Sequence, residues 1–261
     1  MPVSGRLAGK TAIIIGASNP DSMGAVTAMR FAQEGANLIL AARREADLKT
    51  VAESNSALAM TADVTDEESL AALADRAIAE FGSVDIAVNY AGTEVSGPIS
   101  EITPEDLRRS SDVHFMGPIL FFKQMAERMS SGETPGGSLI TASSMTAILA
   151  PPGYAGYAGA KSGADHAVKI AAVEYGPKNI RVNAIAPGFT KTTMTEQAFE
   201  MESLAQAFLN ETPLGRAPTT QDIANAALWL ASDEAFVTGQ IIDVTGGQTL
   251  RRIPTPQEMG F

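Results

Sequence analysis

No cysteine occurs among the 261 residues of this chain. That absence excludes disulfides, thiolate nucleophiles and cysteine-ligated zinc or iron–sulfur centres, and it fits a reducing compartment, so a cytoplasmic location is expected. Histidine is nearly as scarce. His114 and His166 stand alone without ligand spacing, so no metal site is expected and His166 reads as structural. Basic residues are outnumbered, 19 against 30 acidic, and the net charge of −11 disfavours nucleic acid as a partner. Long membrane-spanning runs are also missing. Met1 to Lys10 (MPVSGRLAGK) has no apolar stretch, so no secretory signal is expected there. Thr134 to Ala160 is free of charge, but it holds Pro135, Pro151, Pro152 and five glycines, and reads as the wall of a site rather than a membrane span. No Gly-x-Ser-x-Gly elbow supports a hydrolase.

What is present is a regular alternation. Short apolar runs at 11–15, 37–41, 57–61, 84–89, 138–142, 180–186 and 240–244 read as strands, and segments of helical period lie between them. In the clearest helix Leu70, Leu73, Ala74, Ala77, Ile78 and Phe81 fall on one face, and Thr65 followed by Glu68 has capping-box spacing. Thr103 before Pro104 and Asp106, and Thr219 before Asp222, mark further helix starts. Strands that are apolar almost throughout belong in a parallel sheet covered on both faces. The fold expected is therefore α/β, a doubly wound Rossmann-type parallel sheet of about seven strands with helices on both faces. Residues 1–261 read as one dinucleotide-binding catalytic domain, with 251–261 an irregular C-terminal tail.

Ligands of such a sheet bind beyond the carboxyl ends of the strands. There the first strand runs into Gly16-Ala-Ser18-Asn-Pro-Asp-Ser22-Met23-Gly24 and a helix rich in alanine. Glycines permit close backbone approach, and a helix N-terminus offers free amides to a pyrophosphate. The spacing is not Gly-x-Gly-x-x-Gly, so a structural strand-to-helix turn is an alternative reading. After the second strand comes Ala41-Ala42-Arg43-Arg44, without the acidic residue that would bind a ribose 2′-hydroxyl. Arginine suits a 2′-phosphate, so NADP is favoured over NAD, against the alternative of a solvated helix start.

Tyr157 and Lys161 lie four apart on one helical face. A cation beside a phenol favours phenolate, so Lys161 and a positively charged nicotinamide are expected to lower the tyrosine from its usual value near about 10. Tyr157 could then give a proton to a carbonyl oxygen or take one from an alcohol. Ser143 and Ser144 end the fifth strand, where a hydroxyl could hold the substrate oxygen.

These motifs, in this order, resemble the short-chain dehydrogenase/reductase family over residues 6 to 248. Its Asp-Val is matched by Asp63-Val64, its Asn-Asn-Ala-Gly by Asn89-Tyr90-Ala91-Gly92, and its Asn-x-x-x-Pro-Gly by Asn183 to Pro187-Gly188. Thr238-Gly239-Gln240 and Val244-Thr245-Gly246-Gly247 are similar to its carboxyl end. The resemblance implies that Tyr157 is the general acid/base, that Lys161 binds the nicotinamide ribose, and that Ser144, thirteen residues before the tyrosine, polarises the substrate oxygen. It further implies that Asp63 and Val64 contact adenine, that Asn89, Ala91 and Gly92 line the adenosine and ribose side, and that Pro187, Gly188, Thr190 and Thr192 line the nicotinamide and pyrophosphate end. A homo-oligomer, a tetramer, is implied as well, paired through the helix after Gly92 and the helix bearing Tyr157, with Ala164, Ala167, Ala171 and Ala172 allowing close approach.

The sequence departs from the family at two places. His114 stands where the family has an asparagine thought to hold a relay water; a neutral imidazole can serve that role, and a packed core histidine is the other reading. The Gly16–Gly24 loop and Tyr154, seven before Lys161, look like the enoyl reductase branch, which keeps an enoyl-thioester reductase as an alternative. A non-catalytic dinucleotide-binding scaffold is the third reading. Met194, Phe199, Met201, Leu204, Phe208 and Leu209 could form a lid, and Met145, Ile148 and Pro151 an apolar pocket, so the expected substrate is a neutral, hydrophobic ketone or secondary alcohol.

Overall fold

The computed structural model describes residues 5–131, 135–192 and 195–260. Seven strands form one sheet: β1 Thr11–Ile15, β2 Asn37–Ala42, β3 Leu58–Thr61, β4 Ile86–Asn89, β5 Gly137–Ala142, β6 Ile180–Pro187 and β7 Ile241–Val244. Their order is β3-β2-β1-β4-β5-β6-β7, parallel at every pairing. This is the doubly wound Rossmann-type sheet expected.

Ten α-helices are seen among the described residues: α1 Met23–Gln33, α2 Glu45–Ser54, α3 Glu67–Phe81, α4 Pro104–Ser111, α5 Gly117–Ser131, α6 Ala155–Tyr175, α7 Glu196–Glu200, α8 Glu202–Asn210, α9 Thr220–Ala231 and α10 Pro256–Met259. Alternate residues of each strand divide the core. Ala12 and Ile14 of β1 face one way, toward Ala28 and Phe31 of α1, Leu48 of α2 and Ile223 of α9. Ile13 and Ile15 face the other way, toward Leu70 of α3, Phe121 of α5 and Val168 of α6. A strand buried on both faces has few positions for a polar side chain, Thr11, Ser138 and Asn183 being among the buried exceptions, which is why these segments read as mostly apolar runs.

Thr103 and Thr219 each cap their helix reciprocally with Asp106 and Asp222, as their spacing predicts. The start of α3 differs. Asp66, not Thr65, is its cap, accepting from the amides of Glu68 and Ser69, because the Thr65 hydroxyl is turned back to Asp63 Oδ1 at 2.8 Å. The C-terminal segment also differs from the irregular tail expected. Thr255 and Glu258 form a capping box for α10, and Arg252 bridges Glu258 and Glu211, the residue that caps the C-terminus of α8, which docks the segment on α8.

The strand register determines where chemistry can gather. Ile15 pairs with Ala41 and with Asn89, and Asn89 with Thr141, so Gly16, Ala42, Tyr90 and Ala142 emerge in a row along the carboxyl edge. The chain winds in opposite directions from β1 and β4, and that edge is the switch point of the sheet.

Candidate active site

A cavity of about 600 Å³ opens at this edge. Its floor holds Tyr157, Lys161, Ser144 and His114, delivered by α6, the end of β5 and the turn after α4. Three neighbouring residues tie β5 to α6: the Ala142 carbonyl accepts from Lys161 Nζ at 2.5 Å, the Ser143 hydroxyl donates to Asp165 at 2.8 Å, and the Ser144 hydroxyl lies beside Tyr157. Tyr157, Lys161 and Asp165 follow one another at successive turns of α6, so one helix face meets three consecutive strand residues.

Ser144 Oγ accepts from the amide and the hydroxyl of Thr146, at 3.2 and 3.0 Å. With its lone pairs engaged, its own proton is left to point into the cavity. Lys161 is buried, 4% exposed, and burial lowers its ammonium to about 8, opposed by the negative charge of Asp165. Its Nζ lies 5.8 Å from the Tyr157 ring centroid. The tyrosine sits in a different balance. Burial pushes the Tyr157 phenol upward, the Ser144 hydroxyl works against this, and the groups of the chain alone do not lower it.

His114 lies in a π-helical turn, Asp112–Met116, between α4 and α5. The extra residue of a π turn shifts the phase of the helix, a feature frequent at functional sites. Here it turns a side chain that is 1% exposed against the edge of Tyr157, ring centroids 4.8 Å apart. Nε2 lies 2.8 Å from the Thr93 carbonyl and 3.2 Å from the Thr93 amide; the shorter contact assigns the proton to Nε2, which leaves Nδ1 an acceptor, buried and without a partner among the described residues. Burial and the nearby Lys161 charge lower the imidazole to about 3. It is neutral throughout the ordinary pH range.

Residues 16–249 match the family model described as enoyl-(acyl carrier protein) reductase. A 3β-hydroxysteroid dehydrogenase of Eggerthella lenta is 36% identical over 251 residues, covering 94% of this chain and 95% of that protein. The trans-4-hydroxycyclohexanecarboxylate dehydrogenase of Sinomonas cyclohexanicum is 36% identical over 259 residues, 95% of each. Among solved structures, a short-chain dehydrogenase/reductase from Mycobacterium ulcerans superposes with a TM-score of 0.92 at 31% identity, covering 97% of this chain and 94% of that one. A 7α-hydroxysteroid dehydrogenase in complex with NADH and 7-oxo glycochenodeoxycholic acid gives 0.87 at 37% identity, covering 93% and 95%. The chain belongs to the short-chain dehydrogenase/reductase family. It is an oxidoreductase of that family.

Along the carboxyl edge of this reductase fold the expected site residues fall into two groups. Met23, Ala91, Gly92, Pro187, Gly188, Thr190 and Thr192 line the cavity with the four residues of its floor. Gly16, Ser18, Ser22, Arg43, Asp63, Val64 and Asn89 lie outside it, around the ends of β1 to β4. Several of these carry structural duties. Ser22 caps α1, accepting from the Ala25 amide at 3.1 Å; Asn89 Oδ1 accepts from the Ala91 amide at 2.9 Å; Val64 is packed against Gly117 with its side chain in the core. Arg43 is exposed, whereas Arg44 is held by Asp47 at 2.8 Å and reaches Ser18 Oγ at 3.3 Å.

The cradle at α1 is built by two glycines. A Cβ at Gly16, whose φ is +91°, would lie 2.8 Å from the Tyr90 carbonyl carbon, and one at Gly24 would lie 2.5 Å from the Gly16 oxygen. Close backbone crossing of this kind leaves the N-terminus of α1 open to a phosphate. Below it the Thr27 hydroxyl donates to Tyr90 at 3.1 Å, which fixes α1 to the loop after β4.

Other residues of the site were not visible in the sequence pattern. Phe189 stacks between Phe199 and Phe208, centroids 4.2 and 4.4 Å away, and joins helices α7 and α8 to the end of β6. Gln248, fully buried, accepts from the Phe189 amide at 3.3 Å and braces Gly188 from below. Ile253, Pro256 and Met259 of the C-terminal segment close the far wall. Ile148 does not join them; it is 61% exposed, because the 3-10 turn Met145–Ala147 sends it outward. Met194, expected in the lid, lies outside the described residues.

Proposed function

We propose that this protein interconverts a neutral, apolar ketone and its secondary alcohol with NADP(H), Tyr157 acting as general acid/base. The observation that carries the reading is the convergence of Ser144, Tyr157, Lys161 and His114 on the floor of a largely apolar cavity beside the glycine cradle of α1. Hydroxysteroid and hydroxycyclohexane dehydrogenases among the relatives support a ring ketone as the substrate class.

The cradle fits a dinucleotide, since Gly16 and Gly24 admit close backbone where any Cβ would collide. When bound, the dinucleotide supplies or accepts the hydride and, oxidised, brings a positive ring to the site. In ketone reduction Tyr157 donates its phenolic proton to the carbonyl oxygen while Ser144 donates a hydrogen bond to the same oxygen; in alcohol oxidation Tyr157 takes the proton back. Lys161, held at the Ala142 carbonyl, has two further N–H donors for a ribose, and its charge together with that of the oxidised ring offsets the upward push of burial on Tyr157. The bare His114 Nδ1 can hold a water that returns a proton toward Lys161 and Tyr157.

Arg43 supports NADP over NAD: it is exposed at the end of β2 and its side chain makes no ion pair among the described residues. Oligomerisation is supported by apolar side chains left on the outer faces. Phe115, Met116 and Ile119 on the π turn and α5, and Ile170 and Val173 on α6, are exposed, while Ala164, Ala171 and Ala172 are buried within the chain. We infer a homotetramer acting in the cytoplasm.

The test is Tyr157→Phe. It removes the transferable proton and little volume, so turnover of a cyclic ketone should fall by about 10³-fold while dinucleotide affinity stays within about twofold. Tyr154 serves as the control, because the enoyl-reductase reading assigns the acid to it. Retained ketone reduction in Tyr157→Phe together with its loss in Tyr154→Phe would reject the carbonyl mechanism.

A further inference from the structure

Apart from Lys161 and His114 on the floor, the cavity is lined by a single ionisable side chain of acidic or basic type among the described residues, Glu94. It sits in the loop after β4, and that loop is pinned on both sides of it. Thr93 is bonded to His114, Val95 is buried at 3% exposure, and the Gly97 amide donates to the Gly153 carbonyl at 2.8 Å. Gly153 precedes Tyr154, whose phenol feels the negative charge of Glu94 and whose ring lies 6.2 Å from Tyr157. Glu94 is therefore held at the substrate side of the catalytic tyrosine by the same framework that holds the tyrosine.

The charges around it do not cancel it. Lys161 keeps its charge but is held at the floor by the Ala142 carbonyl and makes no ion pair with Glu94 among the described residues, and His114 is neutral. Arg109 approaches only the Glu94 carbonyl, at 3.5 Å, and shares its charge with Asp106. On the C-terminal wall Arg252 is paired with Glu211 and Glu258, and Arg251 donates to the Asn210 carbonyl. The Glu94 carboxylate itself has no side-chain hydrogen bond or ion pair among the described residues.

We propose that Glu94 is a specificity-determining residue that excludes carboxylate substrates from the cavity and selects uncharged ring ketones and alcohols. The inference rests on the ketone reductase reading of the site and narrows its substrate class. Glu94 is exposed to solvent at the cavity wall, and two like charges near a protein surface repel enough to change relative rates by about tenfold.

The experiment compares 4-oxocyclohexanecarboxylate with its methyl ester, two ketones that differ in charge at the end remote from the carbonyl. Values of kcat/KM are measured for the native protein and for Glu94→Gln by nicotinamide absorbance. The native protein is expected to prefer the ester by about tenfold, mostly through KM, and Glu94→Gln to narrow that ratio to about twofold by gaining on the carboxylate. An unchanged ratio in Glu94→Gln, or no preference in the native protein, would overturn the proposal. Should neither ketone turn over, binding of the same pair is measured calorimetrically in Tyr157→Phe with and without Glu94→Gln. An ester preference that depends on Glu94 then upholds the charge filter and rejects the reductase reading, whereas equal binding, or none, rejects the filter.

Discussion

Replacing His114 by asparagine should make the folded protein more resistant to acid. Burial and the Lys161 charge lower the imidazole from 6.5 to about 3, so the folded state binds no proton there at pH 5. The unfolded chain does bind one. Between the two pKa values the unfolded state carries more protons than the folded state, so stability falls as pH is lowered through the unfolded value near about 6.5 and stops falling only below about 3. From pH 7.5 to pH 5 the linkage amounts to about 1.5 pKa units, or about 2 kcal/mol. The asparagine variant would have no such dependence, while the groups that titrate elsewhere, such as Asp222 and Glu258 with their lowered carboxyls, are common to both proteins and cancel in the difference.

The assay is urea unfolding at pH 7.5 and pH 5, at one protein concentration, for the native protein, His114→Asn and His114→Gln. The native protein should lose about 2 kcal/mol more than either variant over this interval. Equal losses in all three would refute the buried neutral imidazole, and with it the claim that Nδ1 is an acceptor ready for a water. The same neutrality governs activity: no inflection attributable to His114 should appear in the pH–rate profile between pH 5 and 8, and His114→Asn should leave the acid limb in place while changing the rate.

Three shorter predictions follow from the remaining geometry. Arg43→Ala should weaken NADP binding by about tenfold and erase any preference over NAD, as read by calorimetric titration; tighter NAD binding in the native protein would reject the 2′-phosphate role. Asp165→Asn removes the anion that supports the Lys161 ammonium, so the alkaline limb of kcat/KM should move to lower pH, whereas Ser143→Ala, which breaks only the hydrogen bond, should leave that limb in place. Light scattering should give the mass of four chains, and Val173→Glu on the exposed face of α6 should reduce it; a single-chain mass for the native protein would reject the tetramer.

The sheet was legible because its order is written locally. Each strand needs only a short apolar run, and burial on both faces keeps it apolar, so the strand ends found in the structure move by a residue or two from those read in the chain. The face of α6 that meets β5 was legible in part for a similar reason. Tyr157 and Lys161 lie one helical turn apart, and the register of β5 brings Ala142, Ser143 and Ser144 to meet them, whereas Asp165, one turn further on, was not read in the chain. Thr65 misled because two short polar side chains compete at that helix start, and the outcome depends on whether the hydroxyl finds Asp63 or the helix amides first. A spacing of four reports the proximity of Tyr157 to Lys161 but says nothing of the burial that raises the phenol and lowers the ammonium.

The substrate half of the site could not be read in this way, and the reason lies in how it is assembled. The glycine cradle is a backbone property: Gly16 and Gly24 are required by contacts within a dozen residues and by one strand neighbour, so the residue type itself is the signal. The substrate wall is a packing property. Glu94 follows β4, Tyr154 precedes α6, Phe189 ends β6 between two rings from α7 and α8, and Ile253 to Met259 arrive from the far end of the chain. No periodicity relates these positions, and each is ordinary in its own segment. What joins them is the crossing of four connections over one sheet edge, anchored by Gly97 to Gly153 and by Gln248 beneath Phe189. Those anchors hold the backbone on either side of Glu94 and beside Phe189, so under the charge-filter proposal a substitution at Glu94 changes what the cavity admits while Ser144 and Lys161 stay in place.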